Sequence, residues 1–191
     1  MNPATGQLAS FYESLPAAKI NSWLVDFLPP PPAPVLEVGS GSGRDAAWLV
    51  QAGFAVTAVE PDAVMRAEAR RRHPQTGFKL RSGSLPGLGF AARPRFAFIL
   101  ANAVWMFIRP DQRSAAAAEL AALLLDGGSL AVTLRHPIDR QRGMHEVVRQ
   151  TLLAEFAALG LAARHISKAA DLQRPAVTWQ RILLTKDNAE L

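Results

Sequence analysis

The sequence predicts an α/β domain with a mostly parallel sheet and helices on both of its faces. Three observations predict it. From residue 35 onward, short apolar runs alternate with segments of helical length and pattern. The first run, Val35-Leu36-Glu37-Val38, passes directly into Gly39-Ser40-Gly41-Ser42-Gly43, three glycines at every second position, and a helical segment follows at once. The second run, Phe54-Ala55-Val56-Thr57-Ala58-Val59, ends on the carboxylate of Glu60. Glycines so placed let a loop turn tightly and bring its backbone against a ligand without a Cβ in the way. An acid at the end of the second strand, close to the roughly 20 residues expected after the glycines, is the group that grips a ribose in a βαβ nucleotide site.

The elements follow in order. Residues 8–28 carry apolar side chains at helical spacing, notably Ile20, Trp23, Leu24 and Phe27, and predict a helical leader. Pro29–Pro32 and Pro34 stop it and make a stiff spacer into the first strand. After the glycines a helix holds Ala46, Ala47, Leu49 and Val50, with Gly53 as its stop. A helix from Asp62 to Arg72 follows the second strand, and Phe78–Arg81 reads as a short third strand. Residues 82–94 are rich in Gly and Pro and read as loop. Phe96–Ala101 is apolar on both faces, as a buried strand is. Arg113–Leu125 is alanine-rich and predicts a helix closed by Asp126-Gly127-Gly128, with Leu130–Leu134 as strand five. A helix from His145 to Leu159 ends at Gly160, and strands are expected near Ala162–Ile166 and Val177–Thr185. One domain is expected over residues 1–191: a leader to residue 34, a core over 35–185 and a tail over 186–191.

Composition narrows the function. The 191 residues are 49% hydrophobic, enough for a sizeable core. No apolar run approaches the roughly 18 residues of a membrane span, and Met1-Asn2-Pro3 opens no signal peptide, so a cytoplasmic enzyme without membrane partner is expected. There is no cysteine, hence no disulfide and no thiolate metal site. Neither a His-Glu-x-x-His pair nor an acidic triad at ligand spacing occurs, so no metal is expected. No Gly-Lys-Ser/Thr follows the glycines, which excludes a P-loop, and no G-x-S-x-G elbow marks a hydrolase. The formal charge of +5 and the cluster Arg66, Arg70, Arg71, Arg72, His73 raise nucleic acid as a partner. The same cluster closes a helix, where its dipole favours positive charge.

The dinucleotide fingerprint G-x-G-x-x-G/A, counted from Gly39, places its third small residue on Arg44, which is bulky and charged. The glycines instead run G-x-G-x-G, with Glu37 two residues before the first. Here the chain resembles the class I S-adenosylmethionine-dependent methyltransferases, of small bacterial type, whose first motif reads (D/E)-x-G-x-G-x-G. The resemblance covers roughly residues 35–135. It implies a doubly wound, Rossmann-like, seven-stranded sheet of order 3-2-1-4-5-7-6 with the last strand antiparallel. It implies S-adenosyl-L-methionine as cofactor, with Glu37, Gly39, Ser40, Gly41 and Gly43 along its methionine part, and Glu60, next to Pro61, on both ribose hydroxyls. The leader of such proteins often folds over the cofactor with an aromatic residue, which makes Tyr12, the one tyrosine, the candidate. Ser82 and Ser84 stand where the family commonly has an adenine-binding Asp. Asn102 is expected to line the cofactor pocket. Nucleobase amino methyltransferases carry (D/N/S)-P-P-(Y/F/W) at this point; Asn102 and Trp105 match only its outer positions.

In an open α/β sheet, ligands bind beyond the carboxyl ends of the strands. The candidates for catalysis are therefore His136, a base with a pKa near neutrality, and Trp105, whose ring face favours a sulfonium cation. The candidates for substrate binding are Arg135, for a carboxylate or phosphate, with Phe107 and His145. The loop Asp171–Arg174 is expected to border the same mouth. A methyltransferase acting on a small molecule is the expected function. Methylation of RNA or protein, a non-catalytic protein of the same fold, and an NAD-binding oxidoreductase, disfavoured by Arg44, are the rivals. Substrate, methylated atom and oligomeric state are not written in the sequence.

Overall fold

The structure, a computed structural model, describes residues 3–90 and 94–188 of the chain. Its strands are β1 (Pro34–Val38), β2 (Ala55–Val59), β3 (Lys79–Arg81), β4 (Phe96–Asn102), β5 (Leu124–His136), β6 (Leu161–Ala170) and β7 (Thr178–Lys186). Its helices are α1 (Pro3–Glu13), α2 (Ala17–Ile20), α3 (Arg44–Gln51), α4 (Ala63–Arg72), α5 (Arg113–Leu123) and α6 (Arg149–Ala157). The strands form one seven-stranded sheet, flanked by helices, in the order β3-β2-β1-β4-β5-β7-β6, as the family resemblance implied. The chain divides into two compact units, one ending at Ser84 and the other beginning at Leu85.

In the first unit, β1 pairs parallel with β2 and β2 with β3. Val35, Leu36 and Val38 of β1 and Val56, Ala58 and Val59 of β2 are all buried, which explains their near-continuous apolar sequence. The side chain of Asp62 accepts from the amides of Val64 (2.7 Å) and Met65 (3.2 Å) and so starts α4, a cap worth about 1 kcal/mol. The helical leader comes in three pieces. Pro16, extended at ψ 118°, separates α1 from α2, and residues 22–27 form a tight 3-10 turn. A proline cannot continue the hydrogen-bond ladder, and the residue before it is pushed out of the α region. Of the four apolar residues that suggested the helix, Leu24 is buried and Phe27 is 36% exposed.

In the second unit, β4 pairs parallel with β5, while β7 runs antiparallel to both β5 and β6. Phe98–Ala101, Leu130–Val132 and Ile182–Leu184 make its core with Leu120 and Phe156. The alanine-rich helix ends at Leu123, earlier than expected, because Leu124 already pairs with Phe96. Asp126-Gly127-Gly128 lies inside β5, opposite an irregularity between Phe96 and Phe98. Gly128 is required there, since a Cβ would stand 2.8 Å from the carbonyl oxygen of Leu125 and 3.1 Å from that of Ala97. Strand β7 reaches Lys186, the first residue of the expected tail, and residues 189–191 of that tail lie outside the described residues. No helix among the described residues is long and apolar enough to cross a membrane.

Candidate functional site

β1 delivers Glu37 to the edge of the glycine loop, and the loop is tied to β2 by its first amides. Gly39 N and Ser40 N both donate to Val59 O, at 2.7 and 3.1 Å. Gly41 N donates to Glu60 Oε2 at 2.8 Å, and Gly43 N to Ser40 O at 2.9 Å, which closes the turn into α3. Two glycines have separate reasons to be bare. At Gly43 (φ +85°) a Cβ would lie 3.0 Å from Phe78 Cζ and 3.1 Å from Ala69 Cβ, so this position lets α3 pack against α4. At Gly41 (φ +53°) a Cβ would reach 3.4 Å from Cδ2 and Cε2 of Tyr12, ordinary contact with a ring that lies over the loop.

Glu60 faces this loop, as the sequence led us to expect. Its Oε2 accepts from Gly41 N and its Oε1 from Asp62 N at 2.9 Å. A carboxylate offers about four lone-pair directions, so two amide bonds leave acceptor capacity for hydroxyls. The group is 7% exposed. Burial pushes its pKa up, and the Asp62 and Gly41 amides pull it partly back, followed in effect by Arg66. Arg66 Nη1 also donates to the carbonyls of Glu60 (2.8 Å) and Pro61 (2.7 Å) and so clamps the backbone that carries the acid. Nothing in the sequence pattern singled Arg66 out for this.

The loop also holds buried polar atoms with no partner among the described residues: Glu37 Oε2, Ser40 Oγ and Ser42 Oγ. Such atoms cost about 1–3 kcal/mol each, and native structures keep few of them. Glu37 is 3% exposed, and burial, then the neighbouring Asp45 carboxylate, holds its pKa well above the usual carboxylate value. A bare loop, a carboxylate with spare lone pairs and three unsatisfied buried polar atoms fit a polar nucleoside ligand.

The leader is fastened over this region from three sides. Arg44 Nη1 donates to Tyr12 O (3.2 Å), Arg72 Nη2 to Ser10 Oγ (2.8 Å), and His73 Nε2 meets Glu13 Oε1 at 3.1 Å. Arg71 and Arg72 both pair with Glu68 as well, at 2.7 and 2.8 Å. Four of the five residues of the expected basic cluster therefore have partners inside the unit: Arg66, Arg71, Arg72 and His73. Ser82 and Ser84 are exposed.

In the second unit, the end of β4 is braced by a residue the sequence did not flag. Thr133 Oγ1 donates to Asn102 Oδ1 and accepts from Ala103 N at 2.9 Å. Ala103 is thereby held at φ +60°, a conformation costly for a residue with a Cβ. The turn after β4, which carries no Pro-Pro, is shaped by this hydroxyl instead.

Trp105 is corrected. It has no exposed surface and packs on Phe156 with ring centroids 5.2 Å apart, so it is a core residue and not a wall facing a ligand. Its Met106 neighbour is buried too, which makes the short turn Trp105–Phe107 an anchor into the core. Phe107 is 42% exposed, with the Arg142 guanidinium 5.9 Å above its ring. His145 N donates to Met106 O at 2.8 Å and staples the loop after β5 to that turn. His136 is exposed at the end of β5, and no carboxylate among the described residues orients its ring. Asp171 is the hub of its own turn. Burial raises its pKa, but bonds from Arg174, Gln173 N and Trp179 Nε1 outweigh this and hold it below the ordinary range.

Residues 35–128 match the family model described as a methyltransferase domain. Over that stretch the chain is similar to this family. Solved structures of this fold extend the likeness across its length. A TehB-like SAM-dependent methyltransferase from Corynebacterium glutamicum is 22% identical, with 97% of this chain and 100% of that one covered at a TM-score of 0.75. The 1,6-didemethyltoxoflavin-N1-methyltransferase of Burkholderia thailandensis, with bound 1,6-didemethyltoxoflavin and S-adenosylhomocysteine, is 20% identical over 98% of this chain and 80% of that one (TM-score 0.71). The [4+2]-cyclase SpnF is 13% identical over 90% and 82% (TM-score 0.71). These structures share the fold, and SpnF shows that the fold by itself does not name the reaction. No curated protein sequence matches this chain significantly.

Proposed function

We propose that this methyltransferase uses S-adenosyl-L-methionine to methylate a nucleophilic atom of a small molecule, in the cytoplasm. The observation that carries the reading is the Glu60 carboxylate, buried and held by the amides of Gly41 and Asp62 against the glycine loop. When bound, the cofactor supplies an activated methyl group and leaves as S-adenosylhomocysteine. The chain's own residues bind and align. Glu60 receives the ribose hydroxyls, with Pro61 beside it, and Arg66 keeps the turn that presents the acid. Gly39, Gly41 and Gly43 keep the loop bare, Glu37, Ser40 and Ser42 offer their unsatisfied polar atoms, and Tyr12 covers the loop. Ser82 and Ser84, in place of an acid, leave adenine to hydroxyl or backbone acceptors, and Asn102 is assigned to the cofactor pocket. With an activated donor, alignment and exclusion of water are the main tasks, and a base is needed only if the substrate must lose a proton. His136 is the candidate for that proton, and Phe107 and His145 for substrate contact.

A small molecule is favoured over RNA or protein because most of the basic cluster on α4 is spent inside the unit. The test is calorimetric titration with S-adenosylmethionine and S-adenosylhomocysteine. Both bind the wild type, and Glu60→Ala weakens them by about 1.5–3 kcal/mol per charged hydrogen bond lost, with the fold intact. Unchanged affinity in the variant removes Glu60 as the ribose group. Binding without transfer of labelled methyl to any of a metabolite panel, read by mass spectrometry, favours a non-catalytic protein.

A further inference from the structure

The second unit holds a guanidinium that its own fold leaves under-partnered. Arg135 is the penultimate residue of β5, and its side chain is 12% exposed. Among the described residues its Nη1 has two neighbours: Met144 Sδ at 3.9 Å, a weak acceptor, and Asp139 Oδ2 at 3.7 Å, beyond hydrogen-bond length. Its Nε is buried and has no acceptor. Buried charges are normally paired and hydrogen-bonded. Arg44 of this chain obeys that rule and meets Asp45 at 2.7 and 2.9 Å.

The surroundings hold Arg135 in place, with only a long ion pair to Asp139 at 3.7 Å. Asp139 turns Oδ1 towards Arg142 N (3.3 Å) and caps the 3-10 turn Arg140–Arg142. Its backbone amide donates to Met144 Sδ (3.3 Å), which fixes the thioether against Arg135. Met144 is buried, and the next residue, His145, ties the loop to Met106. The loop thus fixes the arginine by packing, while one oxygen of the nearest carboxylate caps the turn and the other stays 3.7 Å from the guanidinium. An oxyanion reaching the guanidinium would meet the planar fork that makes two-pronged bonds with carboxylate or phosphate.

We propose that Arg135 binds an oxyanion, a carboxylate or a phosphate, carried by the molecule that this enzyme methylates. The word substrate rests on the proposed function, whereas the anion site itself does not. The test is ¹⁵N NMR of arginine side chains in the wild-type chain, with and without S-adenosylhomocysteine, titrated with inorganic phosphate and separately with acetate. Chloride is the control for ionic strength. The Arg135 Nε–H signal, assigned by its loss in Arg135→Lys, shifts saturably with at least one anion, and that of exposed Arg109 does not. Response to phosphate alone assigns a phosphorylated substrate, and response to acetate alone a carboxylate. Arg135→Gln abolishes the binding and Arg135→Lys weakens it about tenfold, since an ammonium lacks the fork. No saturable shift with either anion up to about 50 mM, a weak-binding limit, overturns the proposal, as does equal binding by Arg135→Gln. If Arg135→Gln does not fold, the wild-type titration decides alone. Failure of S-adenosylhomocysteine to bind would count against the methyltransferase reading and leave the anion result standing.

Discussion

The glycine loop of the first unit and the loop after β5 in the second are built by opposite means. The first removes side chains. Its amides hold the end of β2 and the Glu60 carboxylate, and its conformation is one that glycine alone adopts cheaply. The second crowds side chains together. Arg135 meets Met144, and Arg142 lies over Phe107. A backbone device is written in consecutive residues, whereas a side-chain device is assembled from distant ones.

The comparison can be broken at three points, and the first concerns charge. Glu37 has its folded-state pKa raised well above 4.5. A raised pKa means that its contribution to stability is fully present below the unfolded value and is lost as pH rises through the folded one. Glu37→Gln removes this dependence and mimics the protonated group. Its stability over wild type, from urea titrations without cofactor, grows as pH rises above about 4.5. Parallel stability curves for the two proteins would show that Glu37 carries no buried charge penalty, and this is the largest effect expected.

Next in size is Gly43→Val. It places a β-branched residue at φ +85° with its Cβ 3.0–3.2 Å from Phe78, Ala69 and His73. Strain and overpacking together cost about 2–4 kcal/mol, read as a fall in urea midpoint. A loss under about 0.5 kcal/mol, the range of neutral surface changes, would mean that the α3–α4 contact is not the reason for glycine there. Smallest is Thr133→Val in the second unit. It keeps the shape but leaves Asn102 Oδ1 and Ala103 N without the hydroxyl, at a cost of about 1–2 kcal/mol. A larger loss than that of Gly43→Val would reverse the contrast and make the β4 turn the more demanding of the two.

Much of the first unit was legible. The strand, glycines, helix, strand and acid stand where the sequence puts them, because period, turn chemistry and glycine spacing are local properties. The division of the helical leader at Pro16 was not spelled out, although a proline decides locally where a ladder must stop. Trp105 was misread for a different reason. Its aromatic character suits a ligand wall and a core equally, and Phe156, far along the chain, settles the matter by packing on it. Thr133 and Arg66 were missed because a hydroxyl in an apolar strand and an arginine in a basic helix carry no pattern of their own.

The sequence by itself determined the order of elements, the bare loop at 39–43 and the acid at 60, since each follows from the conformational preferences of adjacent residues. Tertiary structure decided which polar atoms are satisfied: Glu60 by two amides, Asp171 by Arg174 and Trp179, Arg135 only by a long ion pair with Asp139. Burial and partnership depend on which distant segments arrive beside a group, and no local pattern carries that information.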